Sequence, residues 1–268
     1  MKLARRGVFT TIVPNRRSNE IRVKTTKPPQ KHSRDDYIKV KLATVLRAIY
    51  RAYISPTKSF RSYSQCGEDA VLRFLMQENL RTKGFYVDIG CHGPRRGNNT
   101  YWLYKRGWSG LLVDIEDEKV MSCRLARMRD TTRKCAVTDH EGTVKVYSEK
   151  PFSTTTTIIE PNVAKPGVRT SLTDVEATTL TKLLTDVVAP NRFALLSIDT
   201  EGSDLNVLKG LDFKKFRPIY ICVEELYKDS IFDLEVSEVN KLLVHEGYRL
   251  ASVAGFSLIY KLANSRAG

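Results

Sequence analysis

The sequence predicts an α/β fold built on a mainly parallel sheet. From residue 64 onward, short apolar runs such as GFYVDI and FALLSI alternate with segments of helical length. Apolar strands that alternate with helices are typical of a parallel sheet covered on both faces. Near the end of the chain, YRLASVAG and FSLIYKL are separated near Gly255, which indicates a hairpin and one antiparallel strand.

The predicted elements follow this alternation in order. Strands are expected at 84–89, 110–115, 132–137, 143–148, 193–199 and 218–224, ahead of the terminal hairpin. Helices are expected at 67–80, 98–106 (closed by Gly107), 116–129, 176–188, 203–210 and 235–246. Residues 150–173 are rich in Thr and Pro, so we expect a long loop there, of a kind that is often functional.

The segment before this domain divides into two parts. Residues 1–36 carry several prolines and no sustained period, which indicates an extended arm. Residues 37–54 have helical periodicity and end before Pro56; one face holds Ile38, Leu42, Val45, Leu46, Ile49 and Tyr53, and the other holds Lys39, Lys41, Arg47 and Arg51. Two interpretations stay open: a helix packed on the main domain, or a helix on a membrane surface. We therefore divide the chain into a basic extended arm at 1–36, an amphipathic helix and linker at 37–61, and a main domain at 62–268.

The positive charge of the chain is concentrated at this N-terminal end. The net charge is +14, and residues 1–62 hold 16 lysines and arginines against three acids. The main domain is consequently close to neutral. A solvated tail and a tether to an anionic partner both agree with this distribution, and an anionic membrane surface and nucleic acid are the candidate partners.

The five cysteines show no CxxC spacing, so they predict neither a zinc site nor a disulfide framework. Free thiols in apolar runs favour a reducing compartment. No apolar run is long enough for a transmembrane segment, and no secretory signal is evident. We expect a cytoplasmic protein that can be peripheral at a membrane; the alternative is a mitochondrial one, since residues 1–19 are basic and lack acids ahead of Glu20.

Three aspartates follow apolar runs directly: Asp88, Asp114 and Asp199. A carboxylate at the carboxyl end of a buried strand points into the crevice where an open α/β sheet binds its ligand. Gly90 and Gly93 follow the first of them and allow the backbone to approach a ligand closely. Asp114 lies where a ribose-binding acid is expected. The pattern therefore predicts a nucleoside-containing cofactor.

The order of the acid and the glycines narrows the choice of cofactor. Asp88 precedes the glycines, and two carboxylates would repel the phosphates of a dinucleotide. They suit a cationic ligand rich in hydroxyl groups, and S-adenosylmethionine has that character. The alternative for Asp88 is a structural cap on the turn after its strand.

Four motifs then carry a family resemblance: SQCGEDAVL (64–72), GFYVDIGCHGPRRGNNTYWLYKRGWSGLLVDIE (84–116), CAVTDHEGTV (135–144) and LLSIDTEGSDLNVLKG (195–210). Together they resemble the FkbM family of S-adenosylmethionine-dependent methyltransferases over about residues 62–262. The resemblance implies the class I methyltransferase fold, a Rossmann-like sheet of seven strands with the last antiparallel. Known members mostly methylate hydroxyl groups of sugars, polyketides and related metabolites. The family's first loop often reads GAHDP, whereas this chain has GCHGP and lacks that acid.

The resemblance also implies roles for cofactor-binding residues. Asp88 with the Gly90–Gly93 backbone would hold the methionine end, and Asp114 the ribose hydroxyls. Asp139 would lie beside the adenine, with a turn-forming role as an equal alternative. Gln65 and Glu68, from the SQxGED signature, would lie on the cofactor or substrate side, although an acid at a helix N-terminus is also a common cap.

Catalytic candidates gather after two neighbouring strands, where Asp199, Glu201 and Glu224 place carboxylates at one edge of the crevice. Methyl transfer to an alcohol requires the hydroxyl proton to be removed by a base or a metal. Asp199 and Glu224 could hold one Mg²⁺, or a carboxylate or His92 could act as the base.

The sequence thus predicts an O-methyltransferase that acts on a hydroxyl of a small-molecule or glycan acceptor. Two alternatives stay open: an RNA methyltransferase that uses the basic arm, and an inactive methyltransferase-like subunit of a larger assembly.

Overall fold

A computed structural model describes residues 2–5, 8–14, 21–26, 34–54, 61–148, 171–225 and 237–263. The chain forms two compact units, Met1–Phe60 and Arg61–Gly268, which are described separately. The predicted division of the chain at residues 36 and 61 assigns a function as well as a structure to each part, so it stays a prediction. Most of the predicted loop at 150–173 lies outside the described residues, as do the residues after Ala263.

The N-terminal unit contains three strands and one helix in its described residues. Strands β1 (Lys2–Arg5), β2 (Val8–Pro14) and β3 (Ile21–Thr26) pair in that order as an antiparallel sheet. This pairing lies within the segment for which the sequence indicated an extended arm. Helix α1 (Arg34–Ile49) continues as a π-helical turn, Tyr50–Ile54, so the predicted helix at 37–54 is present. None of the described helices is long and apolar enough to span a bilayer.

The second unit carries the predicted alternation of strands and helices. Its first half contains α2 (Glu68–Leu75), a 3₁₀ turn (Gln77–Arg81), β4 (Phe85–Ile89), α3 (Tyr101–Lys105), β5 (Ser109–Asp114), α4 (Asp117–Ala126), β6 (Thr131–Lys134), β7 (Ala136–Thr138) and β8 (Gly142–Ser148). Its second half contains β9 (Ser171–Thr179), α5 (Leu180–Asp186), β10 (Arg192–Ile198), α6 (Asp204–Lys209), β11 (Arg217–Glu224), α7 (Glu238–His245), β12 (Tyr248–Ala254) and β13 (Ser257–Leu262).

Seven of these strands form the predicted sheet, in the order β12-β13-β11-β10-β4-β5-β6. The pairs from β11 through β10, β4 and β5 to β6 are all parallel. Strand β13 pairs antiparallel with both β11 and β12, so it alone runs against the others in this sheet. The mainly parallel α/β sheet with a terminal antiparallel hairpin is therefore confirmed.

Alternation along the strands divides the core between the two faces of the sheet. On one face, Val87 and Ile89 pack with helix residues that include Leu183, Val207 and Leu243 of α5, α6 and α7. On the other face, Tyr86 and its strand neighbours pack with Leu72, Trp102 and Cys123 of α2, α3 and α4. Successive residues of a strand point to opposite faces, so an entirely apolar strand serves both layers.

The predicted third strand at 132–137 is divided between two sheets. Residues Thr131–Lys134 pair with β5, whereas Ala136–Thr138 pair in parallel with β9, which in turn pairs antiparallel with β8. The break falls at Cys135, whose N–H still donates to the Asp114 carbonyl (3.3 Å). Periodicity did not locate this break, because TTRK (131–134) and AVT (136–138) are each too short to show a period of their own and only one residue separates them.

The predicted helix at 176–188 is wrong in its first third. Residues Ser171–Thr179 form β9, and the helix begins only at Leu180. Val175 and Ala177 are buried while Asp174 and Glu176 are exposed, which is the alternation of a strand. The Thr179 hydroxyl accepts from the N–H of Lys182 (3.2 Å) and caps the helix, so the threonine-rich junction ends one element and begins the next.

The order of the strands fixes where a ligand can enter. From β4 the chain proceeds to β5 and β6 on one side, and β10 and β11 then fill the other side of β4. The connections on the two sides diverge between β4 and β10, and open α/β sheets bind their ligands in the crevice at such a point.

Candidate active site

A cavity of about 590 Å³ lies at this divergence, at the carboxyl ends of β4, β5, β10 and β11. One end is lined by β5 and the residues after it, including Val113, Asp114, Ile115, Lys119, Cys135, Ala136 and Val137. The other end is lined by Gln65, Asp199, Thr200, Glu201, Ser203, Glu224 and Phe256. Gly90, His92 and Gly97 lie in the lining as well. The cavity has room for a ligand of substantial size with two chemically different ends.

The ends of β4 and β10 approach closely at the base of the cavity. The Asp199 N–H donates to the Ile89 carbonyl (2.9 Å), and the Gly90 N–H donates to the Val113 carbonyl (2.9 Å). Gly90 has φ +76°, and a Cβ there would lie 1.7 Å from the Asp199 carbonyl oxygen. Position 90 thus requires glycine for two reasons: a Cβ would clash with the Asp199 carbonyl, and the positive φ is unfavourable for other residues.

Asp114 ends β5 with its carboxylate in the cavity wall. Its Oδ2 accepts from the His92 N–H (3.0 Å), and its Oδ1 accepts from the Glu116 N–H (3.1 Å). Burial raises the pKa of Asp114, while Lys119 and the two backbone donors act in the opposite direction. The carboxylate is consequently oriented by the backbone before any ligand binds.

Two residues other than glycine adopt left-handed backbone conformations in the cavity lining: His92 (φ +48°) and Glu201 (φ +53°). Such conformations are uncommon for residues with a Cβ and gather at functional sites. His92 follows β4, and Glu201 follows β10, so each of the two diverging loops presents one such side chain.

Asp199 and Glu224 form a carboxyl pair at the second end of the cavity. Their side chains hydrogen-bond to one another, which requires one of the two carboxyl groups to carry a proton. Burial and the neighbouring Asp199 charge raise the pKa of Glu224 to about 8, and burial also raises the pKa of Asp199. Near neutral pH the pair therefore shares one proton and one negative charge.

Other acids reinforce the charge of this pair. Burial and Asp199 raise the pKa of Glu201. Asp204 accepts from the N–H groups of Thr200 and Gly202 (3.2 Å each) and thereby shapes the turn that carries Glu201; burial raises its pKa to about 6. Asp199, Glu201, Asp204 and Glu224 lie close together, and this makes each of them harder to ionise. Acids with raised pKa values in a cleft are typical of functional sites.

The SQCGED segment brings Gln65 to the cavity. Asp69, at the start of α2, accepts from the hydroxyls of Ser62 (2.6 Å) and Ser64 (2.9 Å). Glu68 accepts from the Cys66 N–H (2.8 Å) and from the Ser257 hydroxyl (3.4 Å). Glu68 lies on a small chamber beside the main cavity, lined also by Gln65, Cys66, Gly97, Asn99, Asp199, Glu224, Phe256 and Ser257. Its two contacts fix the turn that carries Gln65.

Besides Glu68, three predicted site residues do not line the main cavity: Asp88, Gly93 and Asp139. Asp88 lies beneath the first loop, where its Oδ2 accepts from Asn98 Nδ2 (3.0 Å) and Thr100 Oγ1 (2.7 Å). A direct contact of Asp88 with a ligand would therefore use Oδ1. The Gly93 carbonyl accepts from Asn98 Nδ2 (3.0 Å). Asp139 is 42% exposed and contacts His140 (2.7 Å), beyond the cavity-lining residues 135–137. Their cofactor-binding roles stay predictions.

Several lining residues were absent from the sequence-based candidates. Thr200 and Ser203 belong to the turn after Asp199, and their position beside that acid was the available signal. Lys119 lies on α4, and Phe256 lies in the turn between β12 and β13. No local motif identifies these two, because only the packing of α4 and of the terminal hairpin brings them to the cavity.

The predicted Mg²⁺ site fits the residues poorly. Asp199 and Glu224 share a hydrogen bond, so one of the two oxygens that would face a cation is protonated. No group of three or more His, Cys, Asp or Glu among the described residues has a geometry that could hold a metal ion.

The sequence itself decides the family. The profile of the methyltransferase FkbM domain matches residues 88–250, which is more than half of the chain and includes both loops of the cavity. This chain belongs to the FkbM methyltransferase family. It is an S-adenosylmethionine-dependent methyltransferase, as the four motifs predicted.

Solved structures similar to this FkbM methyltransferase include an O-methyltransferase from Bacillus cereus in complex with SAH, with 12% identity, coverage of 84% of this chain and 91% of that chain, and a TM-score of 0.42. The 1,6-didemethyltoxoflavin-N1-methyltransferase from Burkholderia thailandensis has 10% identity, coverage of 95% and 96%, and a TM-score of 0.40. A TehB-like SAM-dependent methyltransferase from Corynebacterium glutamicum has 10% identity, coverage of 85% and 99%, and a TM-score of 0.37. A search of curated proteins gives no match.

At the β5 end, the cavity of the FkbM methyltransferase offers polar and apolar groups of the kind that a nucleoside requires. Asp114 offers a carboxylate at the position expected for ribose hydroxyls, and Ile115, Ala136 and Val137 supply apolar walls beside it. Gly90, which has no side chain of its own, also lines the cavity.

We predict that Asp114→Asn weakens binding of S-adenosylhomocysteine. The amide keeps the size of the side chain but loses the charge that strengthens hydrogen bonds to hydroxyl donors, a difference of about 1.5–3 kcal/mol, or roughly 10- to 150-fold in Kd. Isothermal titration calorimetry measures the change. The matched control is Asp117→Asn, three residues later on the exposed face of α4. An unchanged Kd in the Asp114 variant would remove this residue from the cofactor contact.

We predict that Glu224→Gln changes how stability depends on pH. The pKa of Glu224 is about 8 in the folded chain and near 4.5 when unfolded, so the folded protein binds the extra proton between these values. The free energy of unfolding of the wild type therefore falls as pH rises through this window, whereas glutamine has no proton to lose. Urea unfolding at pH 5 and pH 8 should show the variant gaining stability relative to the wild type at the higher pH. A constant difference between the two pH values would contradict the raised pKa.

Proposed function

We propose that this methyltransferase transfers its methyl group to a hydroxyl of a sugar or glycan. The observation that carries the proposal is the Asp199–Glu224 carboxyl pair at the end of the cavity opposite Asp114. An alcohol becomes a good nucleophile only as its proton leaves, and a base with a pKa near the working pH removes that proton most effectively. Burial raises the pKa of Asp199 above its usual range and, together with the Asp199 charge, raises that of Glu224 to about 8.

The proton has a defined path in this proposal. Asp199, the more ionised member of the pair, accepts the proton of the acceptor hydroxyl, while Glu224 keeps its own proton and its hydrogen bond. The two carboxyl groups then hold two protons and no charge, which removes the repulsion between Asp199 and the neighbouring Glu201. His92, on the facing loop, is the alternative acceptor. When bound, S-adenosylmethionine supplies a methyl group made electrophilic by the sulfonium charge.

The lining near the pair supports a hydroxyl-rich acceptor. Asp199, Glu201 and Glu224 are rich in hydrogen-bond acceptors, which match the donors that sugar hydroxyls supply. Phe256 is 49% exposed beside them and offers an apolar surface to a ring. A sugar ring presents both kinds of surface.

The same charges argue against RNA as the acceptor. Phosphate groups would have to approach several carboxylates at the second end of the cavity, and like charges in a partly buried site repel. The basic residues that would offset this repulsion are concentrated before residue 62, while the rest of the chain is close to neutral. A sugar hydroxyl has no such conflict.

We predict that Asp199→Asn lowers turnover by about 10²–10⁴-fold, the usual contribution of a general base, with little change in thermal stability or in Kd for S-adenosylhomocysteine. Transfer of a labelled methyl group from S-adenosylmethionine to a panel of glycans and RNAs measures this and identifies the acceptor class. Asp117→Asn is again the control. Activity that persists in EDTA contradicts a Mg²⁺-dependent mechanism, and full turnover in the Asn variant contradicts the role of Asp199.

We further propose that α1 attaches the chain to an anionic membrane surface rather than to nucleic acid. Its apolar face consists of Ile38, Leu42, Val45, Leu46 and Ile49, which are between 45% and 58% exposed. At about 100° per residue, Lys39 and Lys41 lie on the polar face at its two boundaries with the apolar face, from where their amines reach lipid headgroups. No acid occurs at 37–61. Nucleic acid would use the charge but not the apolar face.

Substitution on the two sides of α1 tests this proposal. Ile49→Asp should weaken sedimentation of the full chain with phosphatidylserine vesicles by roughly tenfold, because burying an isoleucine contributes about 1.5–3 kcal/mol. Val40→Asp is the matched control, since Val40 is also exposed but lies on the opposite face. Equal losses in both variants, or a preference of the wild type for RNA over these vesicles, would contradict the membrane assignment.

A further inference from the structure

Arg127 is a fully buried arginine that does not line the cavity. It follows α4 and extends beneath the first loop of the site. Its Nε donates to Asp130 Oδ2 (2.7 Å), and one terminal nitrogen, Nη2, donates to Tyr86 Oη (2.8 Å) and Thr100 Oγ1 (3.0 Å). The other, Nη1, donates to Asn98 Oδ1 (3.0 Å). A buried guanidinium is tolerated only with such extensive pairing.

The contact with Asn98 determines which way its side-chain amide faces. A guanidinium has donors and no acceptor, so only the amide oxygen can face it. The N–H groups of Thr100 (3.0 Å) and Tyr101 (2.8 Å) also donate to that oxygen and reinforce the orientation. Asn98 is 1% exposed, so no water is available to stabilise the flipped amide.

The oriented amide then restrains the loop. Its Nδ2 lies within hydrogen-bond distance of three acceptors: the Cys91 carbonyl (3.2 Å), the Gly93 carbonyl (3.0 Å) and Asp88 Oδ2 (3.0 Å). Cys91 and Gly93 are the two neighbours of His92, which has φ +48° and donates its N–H to Asp114. The Asn98 side chain therefore holds the loop on both sides of His92, in addition to the contact between His92 and Asp114.

We propose that Arg127 is a positioning residue for the cofactor loop, acting through the Asn98 amide on residues 91–93. The inference rests on the assignment of the cavity to S-adenosylmethionine. In this proposal Asp88 supports the loop from beneath, because its carboxylate anchors both the amide of Asn98 and the hydroxyl of Thr100. Lysine cannot replace arginine here, because an ammonium lacks the planar fork that reaches four partners at once.

Two variants separate the contact between Asn98 and Arg127 from the contacts between Asn98 and the loop. Arg127→Lys keeps the charge beside Asp130 but loses the contact with Asn98. Asn98→Asp keeps an oxygen toward Arg127 but removes the amide hydrogens that hold the loop. It therefore tests the contacts with the loop even where Arg127→Lys fails to fold. Tyr86→Phe is the matched control, since it removes one hydrogen-bond partner of Arg127 and leaves the Asn98 contact in place.

Two measurements on the full chain are informative. In calorimetry, we expect Arg127→Lys and Asn98→Asp to weaken binding of S-adenosylhomocysteine at least tenfold, with Tyr86→Phe within about twofold of wild type. In hydrogen exchange without ligand, the amides of His92 and Gly93, both hydrogen-bonded in the structure, should exchange at least tenfold faster in the first two variants, while the amide of Leu196 in β10 does not change.

Two results would overturn the inference. The first is unchanged exchange at His92 and Gly93 in folded Arg127→Lys or Asn98→Asp. The second is a loss of binding in Tyr86→Phe as large as in Arg127→Lys, which would make the buried cluster structural only. If the wild type itself bound no S-adenosylhomocysteine, the cavity assignment would fail, and the exchange measurement would still decide whether Arg127 holds the loop.

Discussion

The close contact between the ends of β4 and β10 is the constraint on which the rest of the site depends. The Gly90 backbone lies against the Asp199 carbonyl, with no room for a Cβ between them. Because the two strands are held this closely, their loops must diverge immediately, one toward β5 and the other toward β11. The cavity is the space left by that divergence, so the contact that closes the base of the sheet also creates the site above it.

This geometry concentrates charges that the fold alone would avoid. Asp199, Glu201, Asp204 and Glu224 all have raised pKa values, chiefly through burial, so each resists ionisation in the folded chain. Carboxyl groups that are difficult to ionise lower stability at neutral pH and at the same time provide bases of useful strength. The left-handed conformations of His92 and Glu201 beside them indicate the same exchange of local stability for function.

Much of this arrangement was predictable from local patterns. The apolar strands, the glycines after β4 and the acids at strand ends predicted the sheet, the hairpin and six residues that line the cavity: Gly90, His92, Asp114, Asp199, Glu201 and Glu224. Gln65, which also lines it, came only from the family resemblance. These predictions succeeded because a residue at the carboxyl end of a parallel strand reaches the ligand edge whatever the rest of the chain does. Two features were not predicted: the division between β6 and β7, and the strand at 171–179. In both places the sequence is also compatible with the element that was predicted there.

By itself, the sequence determined the fold class, the family and the edge of the sheet that carries the site. Only the tertiary structure decided which acids face the cavity and which support it. Asp88 lies within β4, level with Leu112 of β5, whereas Asp114 is the last residue of β5. Asp114 accordingly lines the cavity, while Asp88 holds Asn98 and Thr100 beneath it. Arg127 and Phe256 have no motif of their own, because their roles come from partners distant in sequence. Strand ends are set by local pattern, whereas the pairing of buried polar groups depends on contacts that form only when the whole sheet has assembled.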